Sequence, residues 1–279
     1  MRAYRCLLSA LLLAAGCAST GVRSGSVTVL PLSPYVGKLR SLELTSPPGG
    51  RLLFDTGGGL TLLSPDLAAR AGCAPYTRRT GLRMSGERFD VATCGPVGLG
   101  FGNLRVAAEA GVFDLATLLP AGLPKVDGLA SLQTFAGLTL TIDLARSQIT
   151  VGSPPSPALE RRLRPLGLRV SHSFGSAGLD VFLQIDGRSG ALWFELDSGN
   201  LDEVLISSRL LGELPLTTDE RSALQAGATV EIQLPIRGLG PVAVRARQAE
   251  LIHDGVLNAA FLERYVVVLD LAAGRAWVD

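Results

Sequence analysis

Charge, histidine and long apolar runs are all scarce in this chain, and each scarcity removes a class of function. Charged residues make up only 18% of the sequence, the net charge is +1, and no run of Lys or Arg stands out. Nothing draws the chain to a phosphate backbone, so nucleic acid is excluded as a partner. The two histidines, His172 and His253, sit at no ligand spacing from a cysteine, which leaves no zinc site and no expected metal. His253 beside Asp254 could suggest a serine triad with Ser207 or Ser208, but no Gly-x-Ser-x-Gly elbow carries it. The glycine-rich stretch Gly98-Leu99-Gly100-Phe101-Gly102 lacks the strand, loop and helix setting of a dinucleotide site and reads as a hairpin. No cofactor is expected. Beyond residue 17 no 18 uninterrupted apolar residues occur, so the remainder is expected to be soluble. Aromatics are few (5%) while Gly (33) and Pro (16) are frequent, a mix that favours many short strands and turns over long helices.

The start of the chain has its own pattern. Arg2 and Arg5 precede an apolar run over residues 7–15, and small residues follow up to Cys17. This reads as a secretory signal peptide, too short to span a bilayer in the mature protein. Leu13-Ala14-Ala15-Gly16-Cys17 resembles the lipobox of bacterial lipoproteins. That resemblance implies lipidation of Cys17 and a membrane attachment through the lipid anchor only; ordinary cleavage near Ala18 is the alternative. Ala18, with no Asp after Cys17, favours the outer membrane, facing the periplasm. Residues 18–26 are small and polar and read as a flexible tether. Once Cys6 and Cys17 are set aside, Cys73 and Cys94 remain. In an oxidising compartment they can pair; two unpaired buried thiols are the other reading.

An internal repeat organises the rest. Leu52-Leu53-Phe54-Asp55-Thr56-Gly57 recurs as Phe194-Glu195-Leu196-Asp197-Ser198-Gly199, and Asp127-Gly128-Leu129 recurs as Asp254-Gly255-Val256. Asp127 lies 16 residues before Asp143, and Asp254 lies 16 before Asp270, a register that runs without a gap to Val151 and Val278. The chain is therefore read as a duplication: a lobe over 27–152, a proline-rich linker over 153–165 with one helical turn, and a second lobe over 166–279. Strands are expected at 27–30, 39–44 and 51–54 before the first Asp, and at 181–185 and 192–196 before the second, with Asp186-Gly187 turning between the last two. Residues 81–94 read as a hairpin turning at Ser85 and Gly86, and short helices are expected at 65–71 and 259–264. The fold class is all-β with a few short helices, in two duplicated β-barrel lobes with a cleft between them.

Asp-Thr/Ser-Gly at the end of a buried strand puts a carboxylate beside a short hydroxyl and a glycine that lets another backbone approach. Two such loops face to face bring two carboxylates together; both cannot ionise cheaply, and the pair shares a proton. Such a dyad can activate water with one member and protonate a carbonyl oxygen with the other. The two loops resemble the active-site loops of pepsin-like and retropepsin-like aspartic proteases, and the Asp-Gly-Leu and Asp-Gly-Val blocks resemble the family's segment packed behind each loop. The resemblance implies a catalytic dyad of Asp55 and Asp197, supported by Thr56, Gly57, Ser198 and Gly199. It places the 81–94 hairpin, with Ser85 and Gly86 at its tip, as the flap over substrate, and a Cys73–Cys94 bond as a staple at its base. It implies a peptide or protein substrate and a monomer that builds the dyad within one chain. Gly58 and Asn200 depart from the family where Ser, Thr or Ala usually follows the tripeptide, and Ser131 and Asn258 depart where bacterial domains tend to have Gly. Asp127, Asp143, Asp254 and Asp270 read as structural or exposed. The leading expectation is an aspartic endopeptidase; the alternatives are a peptide-binding protein on the same fold and a purely structural envelope lipoprotein.

Overall fold

The computed structural model describes residues 27–119, 122–201 and 203–279. The expected signal segment, Cys17 and the expected tether over 18–26 lie outside the described residues. Among the described residues twenty-one strands form three sheets, with a few short helices between them. Among the described residues no helix is long and apolar enough to cross a membrane.

The repeated blocks occupy equivalent places in two of the sheets. Strand Pro48–Phe54 pairs in parallel with Gly128–Ala130, Phe54 opposite Ala130. Strand Ala191–Leu196 pairs in parallel with Gly255–Leu257 in the same way, Leu196 opposite Leu257. Each block's leading Asp then closes the same contact. Asp127 Oδ2 accepts the Arg51 N–H at 3.1 Å, and Asp254 Oδ2 accepts the Trp193 N–H at 2.9 Å. These carboxylates hold the returning segment to the base of the strand that carries the site loop. The leading strands read as near-continuous apolar runs because they are sheet-interior and covered on both faces: Leu52, Phe54, Phe194 and Leu196 are at most 1% exposed.

The first of these sheets has eight strands and the second seven, the latter closing on itself where Ile185 meets Ile236. The third sheet is common to both copies. Its central antiparallel pair joins Thr139–Asp143 to Val267–Asp270, so the gapless part of the repeat forms the seam between lobes. Asp143 and Asp270 end these strands at 5% and 1% exposure, ion-paired with Arg146 (2.8 Å) and Arg275 (2.9 Å). Each also accepts a backbone N–H of the following turn, from Arg146 and Ala273. A buried carboxylate needs such partners; their recurrence follows from turn geometry.

Local signals act where the sequence places them. Ser64 Oγ accepts the Leu67 N–H to cap helix Pro65–Arg70, with Pro65 in its first turn. Asn258 caps helix Ala259–Arg264 through the Phe261 N–H. The 153–165 segment carries the one-turn helix Pro157–Glu160, and its end joins the shared sheet as strand Arg164–Leu166 against Arg275–Val278. Two turns differ from expectation. The turn expected at Asp186-Gly187 lies over 187–190, with Asp186 still in the strand and the Gly187 N–H on Gly190 O at 2.8 Å. The 98–100 glycines lie within strand Arg88–Phe101, and the reversal to Leu104–Val112 comes after Phe101. Cys73 and Cys94 form a disulfide with Cα atoms 5.5 Å apart, tying the segment after helix Pro65–Arg70 to the hairpin strand.

Candidate active site

Asp55 and Asp197 follow the two leading strands and meet at the lobe interface. The main chain positions each alike: the Asp55 N–H donates to Ala130 O (3.1 Å) and the Asp197 N–H to Leu257 O (3.0 Å). The next residues lock the loops together crosswise. Thr56 N–H donates to Ser198 Oγ (3.0 Å), and Ser198 N–H donates to Thr56 Oγ1 (2.9 Å). The hydroxyls then donate onward across the interface, Thr56 Oγ1–H to Leu196 O (2.6 Å) and Ser198 Oγ–H to Phe54 O (3.1 Å). Both side chains are buried, and the donors and acceptors are matched, as an interior polar network requires.

Gly57 and Gly199 allow the close approach. A Cβ on Gly57 would fall 2.5 Å from Asp197 Cγ, and one on Gly199 would fall 2.7 Å from Asp55 Oδ2. Each glycine N–H also donates to its own loop's aspartate, Gly57 to Asp55 Oδ1 (3.0 Å) and Gly199 to Asp197 Oδ1 (2.7 Å). Each carboxyl lies against the other loop's glycine, and each shifts the other's affinity for a proton. Burial raises both carboxyls above the ordinary range, Asp197 the more strongly because the Asp55 and Glu195 charges add to it. The physical content is a pair that holds one proton between them.

The departures from the family pattern have local causes. Gly58 carries no side chain because Leu129 fills the space: a Cβ there would lie 2.4 Å from Leu129 Cδ2. The Asn200 N–H adds a bond to Asp197 Oδ1 (3.2 Å), while its amide donates to Glu203 O. Ser131 Oγ donates to Gly59 O (2.9 Å), holding the first loop from behind.

A cleft of about 640 Å³ opens over the pair. The hairpin of Thr77–Leu82 and Arg88–Phe101 roofs it, with Ser85 and Gly86 in the turn closed by Arg83 N–H to Glu87 O. The tip crosses to the second lobe, where the Ile252 N–H donates to Met84 O (3.0 Å) and Met84 packs on Leu205, Leu251 and Val256. From the other side Phe174 reaches the first lobe. A Cβ on Gly81 would lie 2.1 Å from its ring, and Arg79 donates to its carbonyl at 3.0 Å. The first-lobe side of the cleft is apolar, with Leu60, Leu62, Leu129 and Phe89 among its walls.

Sequence reasoning gave no role to Glu195, Asp180, Phe174 or, after discarding the serine triad, His253. All four line the cleft. Comparing the two copies of the repeat could have singled out Glu195, because the same place in the first copy is Leu53. Burial together with the Asp180 and Asp55 charges pushes Glu195 up to about 8.

No protein-family model matches the chain, and no curated protein matches it. Solved structures do. Basic 7S globulin from soybean is 12% identical, with 91% of this chain and 94% of that chain covered at a TM-score of 0.53. Conglutin gamma, a basic 7S globulin from lupine seeds, gives the same identity and coverage at 0.57. An aspartic proteinase from Irpex lacteus is 15% identical, covering 91% and 97% at 0.50. At such identities the likeness speaks for architecture alone, and it establishes that this chain has the aspartic-protease-like fold.

Proposed function

We propose that the protein is an aspartic endopeptidase in which Asp55 and Asp197 share a proton across the cleft floor. The observation that carries this reading is the matched pair of loops: two adjoining carboxyls that shift each other's affinity for a proton, locked crosswise by Thr56 and Ser198 beneath a roofed cleft. In the reaction the ionised carboxylate takes a proton from water as that water attacks the peptide carbonyl carbon. The protonated carboxyl gives its proton to the carbonyl oxygen. Collapse of the tetrahedral adduct breaks the C–N bond, and a proton from the dyad passes to the leaving amine. No covalent intermediate is formed. The carboxyls must be held within hydrogen-bond reach of both water and substrate, which is the work of the clasp and the two glycines.

A second reading, a cleft that holds peptides without cutting them, is favoured by Gly58, which brings no side-chain hydroxyl to the Asp55 carboxylate. One assay separates the two. The full-length protein in detergent is incubated with an unfolded protein from acid to neutral pH, beside Asp55→Asn and Asp197→Asn. Cleavage by the parent and none by either variant supports catalysis. Cleavage retained in a folded variant refutes the dyad, and a folded parent inactive at every pH gives the binding reading. Export, lipidation at Cys17, outer-membrane attachment on the periplasmic side and a monomeric state belong to the same proposal. A Cys73–Cys94 disulfide fits an oxidising compartment.

A further inference from the structure

The two halves of the cleft floor are built on the same plan but not with the same chemistry. In the first lobe Ser41 stands opposite Leu53 on the paired strands leading to Asp55. In the second lobe Phe182 stands opposite Glu195 on the strands leading to Asp197. Asp180 lies two residues before Phe182, hence on the same face; the matching place in the first lobe is Leu39. Two positions that are leucine on one side of the pseudo-two-fold are carboxylic acids on the other.

Among the described residues neither acid is paired with a lysine or arginine; the basic groups beside them are histidines. Glu195 is 4% exposed and lines the cleft, yet among the described residues its carboxyl accepts no hydrogen bond. Its nearest basic group is His253 Nε2, 3.6 Å from Oε2, beyond hydrogen-bond reach. His253 packs edge-on against Phe182, and burial lowers its affinity for a proton. Burial raises the Asp180 carboxyl above its ordinary range, with Ser173 and His172 near it acting the other way, and among the described residues the Ser173 hydroxyl makes no hydrogen bond of its own. Arg83, on the roofing hairpin, is paired with Glu87. Burying an unpaired carboxyl is costly, and a position that bears this cost without structural return points to a ligand.

We propose that Glu195, with Asp180 beside it, forms an acidic subsite on the second-lobe side of the dyad that selects a lysine or arginine side chain of a peptide substrate. The inference rests on the endopeptidase reading and names its substrate class. The apolar wall of Leu60, Leu62 and Phe89 takes an apolar residue on the other side of the scissile bond. With no cation beside it Glu195 holds its proton; an arriving lysine or arginine draws it to the ionised form and makes the buried pair that His253, whose own protonation burial disfavours, does not.

The test is a cleavage profile of the full-length protein in detergent, on peptides randomised one position at a time around the cut. The parent should select Lys or Arg at one flanking position. Glu195→Leu, which installs the first-lobe residue, should lower kcat/KM for the Lys peptide about thirtyfold or more while sparing its norleucine counterpart. A loss shared equally by both peptides would mark Glu195 as merely structural. Glu195→Gln, nearly isosteric, makes the same comparison if leucine disturbs folding. A parent that cuts without basic preference, or a variant that keeps the preference, overturns the subsite. A parent that cuts nothing refutes the endopeptidase reading instead. Binding of the fluorescently labelled Lys and norleucine peptides, followed by anisotropy, then decides the subsite: a Lys preference lost in Glu195→Leu upholds it, and equal binding overturns it.

Discussion

Glu195→Gln should stabilise the protein at alkaline pH and leave it almost unchanged in acid. Burial and two neighbouring acids raise the Glu195 carboxyl from 4.5 to about 8. Between those values the native state holds a proton that the unfolded chain has released, so stability falls as pH rises through this window and levels off above the native value. At about 1.4 kcal/mol per unit, the interval corresponds to a loss of roughly 5 kcal/mol, an upper bound because Asp180 and Asp55 titrate with it. The residue is deeply buried, so solvent screening reduces this little. Glutamine keeps the shape and a neutral polar head and removes the titration. Urea unfolding of parent and variant at pH 4.5 and pH 8.5 reads the difference directly. The variant's advantage should grow by about 3–5 kcal/mol from the lower to the higher pH. Acids that do not interact with Glu195 contribute to both proteins and cancel in the comparison, while Asp55, Asp180 and Asp197, which do, make the figure an upper bound. A difference that stays within about 1 kcal/mol across the range would refute the claim that Glu195 is held protonated.

Two further outcomes follow from the interior of the site. Ser198→Ala removes the acceptor for the Thr56 N–H and the donor to Phe54 O, both inaccessible to water, and should cost about 2–4 kcal/mol in urea unfolding; a loss under about 0.5 kcal/mol would show the clasp to be ornamental. Cys73→Ser should cost about 3 kcal/mol, from a loop closed over a sequence separation of 21. Reductant should destabilise the parent to a similar degree and leave the variant unaffected, and equal sensitivity of both would refute the assignment.

Much of the architecture was legible because the duplication writes it twice. The two Asp-Thr/Ser-Gly loops, the Asp-Gly blocks and the equal spacings to Asp143 and Asp270 locate the strands, and apolar runs ending in an aspartate declare sheet-interior strands. Helix Pro65–Arg70 could be read from its serine cap and proline, both local signals. The turn after Asp186 starts one residue later than the Asp-Gly pair suggests, because Asp-Gly alone does not fix where the strand stops pairing.

What the sequence by itself determined is thus the repeat, the strand class and the pair of residues that stand at equivalent ends. What only the tertiary structure decided is everything that depends on the two halves touching. Thr56 and Ser198 are 142 residues apart, so no local pattern foretells that each hydroxyl binds the other's backbone. The same holds for Met84 against Ile252, where a hairpin tip of one lobe meets a loop of the other. Glu195 was in plain sight beside Asp197, but in sequence it is one acid in a strand. Only pairing with the strand that carries Asp180, and closure of the cleft over both, buries it with no lysine or arginine beside it among the described residues. Burial and proximity are properties of the packed interface, and they set the charge state of these carboxyls.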